Sequence, residues 1–116
     1  KKANIIENME LIGNVEGKNV VLVDDMVDTA GTLTKASDLM IQRGALSVRA
    51  VCTHGILSGD AYKKIEKSNL AELIITDTIP VKPESKKIKI LSCAQLFGST
   101  MKNVHLNKSI DKNFLN

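Results

Sequence analysis

Residues 20–33 read VVLVDDMVDTAGTL, and the change of character halfway along this stretch decides the fold. Four apolar residues, Val20 to Val23, run straight into the acids Asp24, Asp25 and Asp28, and then into the small residues Thr29, Ala30, Gly31 and Thr32. A short, continuous, valine-rich run with turn-like residues before it and polar ones after it reads as a strand buried on both faces, here Asn19 to Asp24. From Gly31 the pattern switches to helical spacing, with Leu33, Ala36, Leu39 and Met40 on one side, and Gly44 supplies a C-terminal stop. The stretch is therefore a strand feeding a helix through an acid-rich turn of small residues.

The same alternation continues downstream. Ser47 to Thr53 reads as a second strand, Gly59 to Ser68 as a short helix, Glu72 to Asp77 as a third strand and Lys87 to Leu91 as a fourth. Ser92 begins a Ser-x-x-Gln capping box in which its hydroxyl would accept from the amide of Gln95, so a last helix is expected to about Asn103. The segment from Ile79 to Lys87 holds both prolines and reads as a loop. Strands separated by helices predict an α/β domain with a parallel sheet, right-handed crossovers and helices on both faces.

With 116 residues, 43% apolar and 25% charged, the composition fits one globular domain. Aromatic residues are only 3%, so the core must be built from Val, Ile, Leu and Ala, which suits buried parallel strands. The net charge is +3, and the lysines sit in scattered pairs without interleaved aromatics or arginines, which argues against nucleic acid as a partner. No apolar run approaches the ~18 residues of a membrane span, and the first ten residues lack the apolar core of a signal peptide. A cytoplasmic protein without a membrane partner is the expectation. Cys52 and Cys93 lie in apolar surroundings and read as buried thiols, since their spacing to His54 and His105 resembles no common zinc site.

In parallel α/β sheets ligands sit beyond the carboxyl ends of the strands, which is where the turn from Asp24 to Thr32 falls. The first amides of a helix have no intrahelical acceptor and carry the positive end of the dipole, so Asp28-Thr29-Ala30-Gly31-Thr32 presents donors suited to a phosphate. Three carboxylates would repel a simple phosphate ligand, and the Gly-x-x-x-x-Gly-Lys-Thr pattern of a P-loop is absent. The conflict disappears for a longer ligand, with its phosphate on the amides and its hydroxyls or a bound Mg²⁺ at Asp24 and Asp25. A sugar phosphate has that layout. The plainer alternative is that Asp28 caps the helix while Asp24 and Asp25 are the solvated end of a strand. His54 and Ser58 fall in the next strand-end loop, where they either shape a turn and cap the helix near Gly59 or contact a ligand or a neighbouring subunit.

The stretch VVLVDDMVDTAGTL resembles the phosphoribosyl-diphosphate-binding loop of the type I phosphoribosyltransferase fold, and DDMVDTAGT is especially similar to that of the ribose-phosphate diphosphokinases. LIGNVEGK, CTHGILSG and ITDTIP resemble the same family in order and spacing, so the likeness covers nearly the whole chain. It implies transfer of the diphosphoryl group of ATP to ribose 5-phosphate with Mg²⁺, giving phosphoribosyl diphosphate and AMP. By match, Asp24 and Asp25 would engage the ribose hydroxyls, and Asp28, Thr29, Ala30, Gly31 and Thr32 would hold the 5-phosphate.

Members of that family are built from two similar α/β domains, and residues 1–116 resemble the C-terminal one. The resemblance therefore implies that ATP is bound through the other half. The catalytic Lys-x-Arg loop would fall just upstream of Lys1, with Lys1 and Lys2 as its tail, so no catalytic residue is expected within the chain and the fragment alone should not turn over. The family assembles as rings of dimers, and a homo-oligomer is implied here. Asp60 stands where the family often has Pro, Asp77 where it often has Asn, and the ending SIDKNFLN only loosely resembles the usual one. Two alternatives remain: a phosphoribosyltransferase that joins a base to the sugar, and a non-catalytic regulatory homologue of the synthetase.

Overall fold

Parallel pairing organises the chain. The computed structural model describes residue 11 and residues 13–82 and 85–114, so Lys1, Lys2 and part of the proline-containing loop lie outside the described residues. The elements are β1 (Asn19–Val27), α1 (Gly31–Gln42), β2 (Ser47–Gly55), α2 (Ala61–Lys67), β3 (Glu72–Thr76), β4 (Ile88–Leu91) and α3 (Ala94–His105), followed by a 3-10 turn at Asp111–Asn113. The four strands form one sheet in the order β1-β2-β3-β4, and every neighbouring pair is parallel. The α/β reading with a parallel sheet is therefore met.

β1 is longer than its apolar run. It continues through Asp24 and Asp25 to Val27, because Met26 pairs with His54 and Val27 with Gly55 on β2. The backbone at the acids is thus held by sheet hydrogen bonds, and the turn proper begins only at Asp28.

The core lies between the sheet and the two crossover helices. Val48, Ala50 and Cys52 on β2, Leu73 and Ile75 on β3, and Ile88 on β4 alternate toward it, and Ala61 and Ile65 of α2 meet them there. α1 contributes Leu33, Met40 and Ile41 as partly buried packing, yet its most buried side chains are Thr34 and Ser37. Their hydroxyls stay satisfied by donating back to the helix, Thr34 Oγ1 to Ala30 O at 2.7 Å and Ser37 Oγ to Thr34 O at 2.9 Å. Helical spacing of apolar letters alone misses these two small polar contacts with the core.

Helices on both faces were expected, and among the described residues α1 and α2 cover only one. The residues that alternate to the other face remain open to solvent, with Val21 57% and Val23 80% exposed and Val51 and Leu91 exposed beside them. The two crossovers run the same way along a sheet of order 1-2-3-4, so right-handed connections put both helices on one side. α3 has no buried residue and packs chiefly against the 3-10 turn.

Two polar devices fix the ends of the helices. Lys87 reaches back to the C-terminus of α2, where Nζ donates to the carbonyls of Ile65, Glu66 and Ser68 at 3.2, 3.1 and 2.9 Å. At α3 the expected capping box does not form. Cys93 is the N-cap residue, its N–H donates to Asp77 Oδ1 at 2.7 Å, and the Ser92 hydroxyl accepts from Ala94 N–H rather than from Gln95. A carboxylate just past the end of β3 thus holds the amide of the N-cap residue itself.

Candidate functional site

The carboxyl end of β1, the turn after it and the start of α1 form a cavity of about 250 Å³, lined by Asp24, Met26, Val27, Asp28, Thr29, Ala30, Gly31, Thr32 and Leu33. Six of the seven residues singled out from sequence line it. Asp25 does not, because alternation along β1 directs it away from Asp24. Met26, Val27 and Leu33 are additions that periodicity had assigned to the core or left unassigned.

The backbone turns at Ala30. This residue is buried, acts as the N-cap of α1, and adopts a left-handed conformation with φ 63° and ψ 9°. A non-glycine residue pays a steric cost of about 1–2 kcal/mol there, and such outliers cluster at functional sites. Gly31, the residue whose conformational freedom the sequence appeared to use, has no positive φ. Its contribution is space: a Cβ built on it would meet nothing nearer than Thr29 Oγ1 at 3.9 Å.

The first intrahelical bond of α1 runs from Thr34 N–H to Ala30 O at 3.0 Å, which leaves the amides of Gly31, Thr32 and Leu33 ahead of it. Among the described residues no side chain caps them. Asp28 is therefore not the cap of α1. Its carboxylate instead accepts the hydroxyl of Ser58, and its carbonyl accepts Ser58 N–H at 3.0 Å. Val27 O accepts Ile56 N–H at 2.9 Å and Leu57 N–H at 3.2 Å, so the turn after β2 is fastened along the end of β1. Leu57, at the centre of that turn, is a second buried non-glycine residue in the left-handed region, with φ 52°.

Asp24 is fully exposed at the mouth of the cavity. Its carboxyl is held below the ordinary carboxylate range, first by hydrogen bonding with the Asp25 side chain and then by Asp25 N–H, which donates to Asp24 Oδ1 at 2.8 Å. It is thus an anion at neutral pH and a good acceptor for hydroxyls. Among the described residues no three His, Cys, Asp or Glu side chains gather as a metal cluster. A hard cation would fit here only as one shared between Asp24 and oxygens of the ligand, which is how Mg²⁺ commonly binds beside phosphates.

The second strand-end loop shows which groups of this chain His54 and Ser58 touch. Neither side chain caps α2, whose N-cap Asp60 makes no side-chain capping bond and pairs instead with Lys64 at 2.9 Å. Ser58 reaches Asp28, and His54 Nδ1 lies 2.7 Å from Thr78 Oγ1 in a chain of hydroxyls in which Thr76 Oγ1 donates to Thr53 O at 2.6 Å. Cys52 is buried and its thiol is pushed up by that burial, as a structural cysteine should be, while Cys93 sits half-buried at the start of α3.

Residues 2–115 match the family model described as the phosphoribosyl synthetase-associated domain. The chain belongs to that family. A ribose-phosphate pyrophosphokinase of Wolinella succinogenes is 50% identical over 115 residues, covering 99% of this chain and 37% of that protein. The enzyme of the same name from Porphyromonas gingivalis is 50% identical over 109 residues, 94% of this chain and 35% of the relative. The crystal structure of phosphoribosylpyrophosphate synthetase from Mycobacterium smegmatis superposes with a TM-score of 0.81 at 36% identity, covering 83% of this chain and 33% of that one. The chain thus spans about a third of the length of the synthetase-family proteins it matches.

Proposed function

We propose that this domain supplies the ribose-5-phosphate half-site of an enzyme that transfers the diphosphoryl group of ATP to the sugar, giving phosphoribosyl diphosphate and AMP. The observation that carries the reading is the left-handed Ala30 at the start of α1. It leaves three uncapped amides facing a cavity whose mouth holds the exposed carboxylate of Asp24. The phosphate would rest on the amides of Gly31, Thr32 and Leu33 with the hydroxyls of Thr29 and Thr32 beside it, while the ribose hydroxyls would donate to Asp24. Asp25 would support Asp24 from outside the cavity. At about 250 Å³ the cavity is smaller than the ~300–1,000 Å³ typical of drug-sized ligands, which favours a sugar phosphate over a whole nucleotide.

In the reaction the anomeric hydroxyl oxygen attacks the β-phosphorus of ATP, the bond from that phosphorus to the α-phosphate oxygen breaks, and AMP leaves. Catalysis of this kind is mostly positioning and charge stabilisation, so this domain's task is to hold the acceptor in line. Mg²⁺ bound with the substrates would offset phosphate charge. The groups that hold ATP belong, on this reading, to the other domain of a two-domain enzyme, and residues 1–116 alone would bind sugar phosphate without turnover. Assembly into a homo-oligomer is part of the same reading, supported by the exposed Val21, Val23 and Leu91 of the open sheet face and Phe97 and Met101 of α3.

Amide NMR of the 116-residue chain titrated with ribose 5-phosphate and Mg²⁺ tests the half-site directly. Shifts confined to Asp24 and to residues 28–33 are expected; a folded sample with no shift at millimolar ligand would remove the proposal. For the full-length protein, AMP formation that requires ribose 5-phosphate and no free base separates the synthetase from a base-transferring phosphoribosyltransferase. Absence of AMP from a protein that still binds both substrates would favour the regulatory homologue.

A further inference from the structure

Ser58 lies outside the cavity lining, yet its side chain ends on the carboxylate that most threatens an anion site. Asp28 is two residues before the N-cap Ala30, within local reach of the uncapped amides of α1, and short acidic side chains readily bond backbone amides two or three residues on. An unrestrained Asp28 would therefore compete with a phosphate for the same donors and repel it as well. In the structure the carboxylate is bonded away from those amides: Ser58 Oγ donates to Asp28 Oδ1 and the Ser58 amide donates to Asp28 O at 3.0 Å. Ser58 is itself fixed by its surroundings. Ile56 and Leu57, the two residues before it, donate their amides to Val27 O, Leu57 is buried in a left-handed conformation, and Ser58 O accepts Ala61 N–H at 3.2 Å at the head of α2.

We propose that Ser58 is a positioning residue for the phosphate subsite: its hydroxyl draws the Asp28 carboxylate toward the β2–α2 turn and keeps the first amides of α1 open for the ligand. This role rests on the sugar-phosphate reading given above. It gives the second βα loop a part in recognition although none of its side chains lines the cavity, and it explains how an acid can stand at the head of an anion site. Only the hydroxyl of the Ser58 side chain bonds Asp28, so threonine should replace serine and alanine should not.

The test compares ribose 5-phosphate affinity of the 116-residue chain, by NMR titration or calorimetry, for the unaltered chain, Ser58→Ala and Ser58→Thr, at low and high salt. Ser58→Ala should bind about tenfold more weakly at low salt, with Ser58→Thr close to the unaltered chain. The deficit of the alanine variant should shrink at about 0.5 M salt, since repulsion by a freed, exposed carboxylate is screened over a few ångströms there. Equal affinity of the alanine variant and the unaltered chain would overturn the role of Ser58 and leave the half-site standing. So would a loss of constant size at every salt concentration that threonine does not repair, because that would mark Ser58 as a packing residue. Failure of the unaltered chain to bind would overturn the functional reading and this inference together.

Discussion

Gly55 and Ile75 approach each other so closely that a Cβ on the glycine would stand 2.8 Å from Ile75 Cδ1 and 3.1 Å from Cγ2. Gly55 ends β2 opposite Val27 and directly behind the cavity, and Ile75 is completely buried. The glycine is needed for room, since its φ is not positive. Gly55→Ala should therefore destabilise the domain by about 1–3 kcal/mol through overpacking, read as a lower urea midpoint with an unchanged slope.

Gly31 provides the contrasting case. A side chain there enters open space at the cavity, so Gly31→Val should fold with stability within about 0.5 kcal/mol of the unaltered chain. Its branched side chain would stand where the phosphate approaches the backbone, and ribose 5-phosphate titration should show no binding. A variant that is folded and binds normally would separate Gly31 from the subsite.

Asp77 makes the attachment of α3 sensitive to acid. Its carboxyl is held below the ordinary value chiefly by the N–H of Cys93; desolvation opposes this, and the Ser92 hydroxyl adds a smaller lowering. A lowered folded value means that the stabilisation is fully present above the unfolded value of about 3.9 and is lost as pH falls through the folded value. Amide exchange in α3 should accelerate below about pH 4, ahead of the sheet, and Asp77→Asn should flatten that dependence because its amide oxygen accepts without titrating.

Lys87 holds three carbonyls at the end of a seven-residue helix too short to be stable on its own. Lys87→Met keeps the aliphatic stem and removes the donors, so it should cost about 1–2 kcal/mol and raise exchange first in α2. Thermal denaturation and residue-resolved exchange together check both parts of that expectation.

The sheet and its helices were legible because valine-rich runs, helical spacing and Gly44 each speak locally. Parallel pairing and the position of the site follow from the order of the elements. The end of β1 was misjudged at Asp24, since three acids read as a turn until pairing with His54 and Gly55 is known. The side on which α1 and α2 fall follows from strand order, which is not written in any one segment. In the site, Ala30 gave no signal of its left-handed backbone, and Gly31 drew attention that its neighbour deserved. Ser58 stood out as a loop hydroxyl, but its partner is 30 residues away and only the folded turn brings the two together.

The extension of β1 through its acids gives the proposed half-site the character of a gauge. Asp24 belongs to a strand paired on β2, and the amides of Gly31 to Leu33 belong to a helix that starts seven residues later along the same chain. Neither end can shift to suit a ligand without breaking sheet pairing or unwinding the first turn of α1. A sugar phosphate would thus be measured between two rigid stops, and one shorter or longer by a carbon would satisfy one of them at the expense of the other.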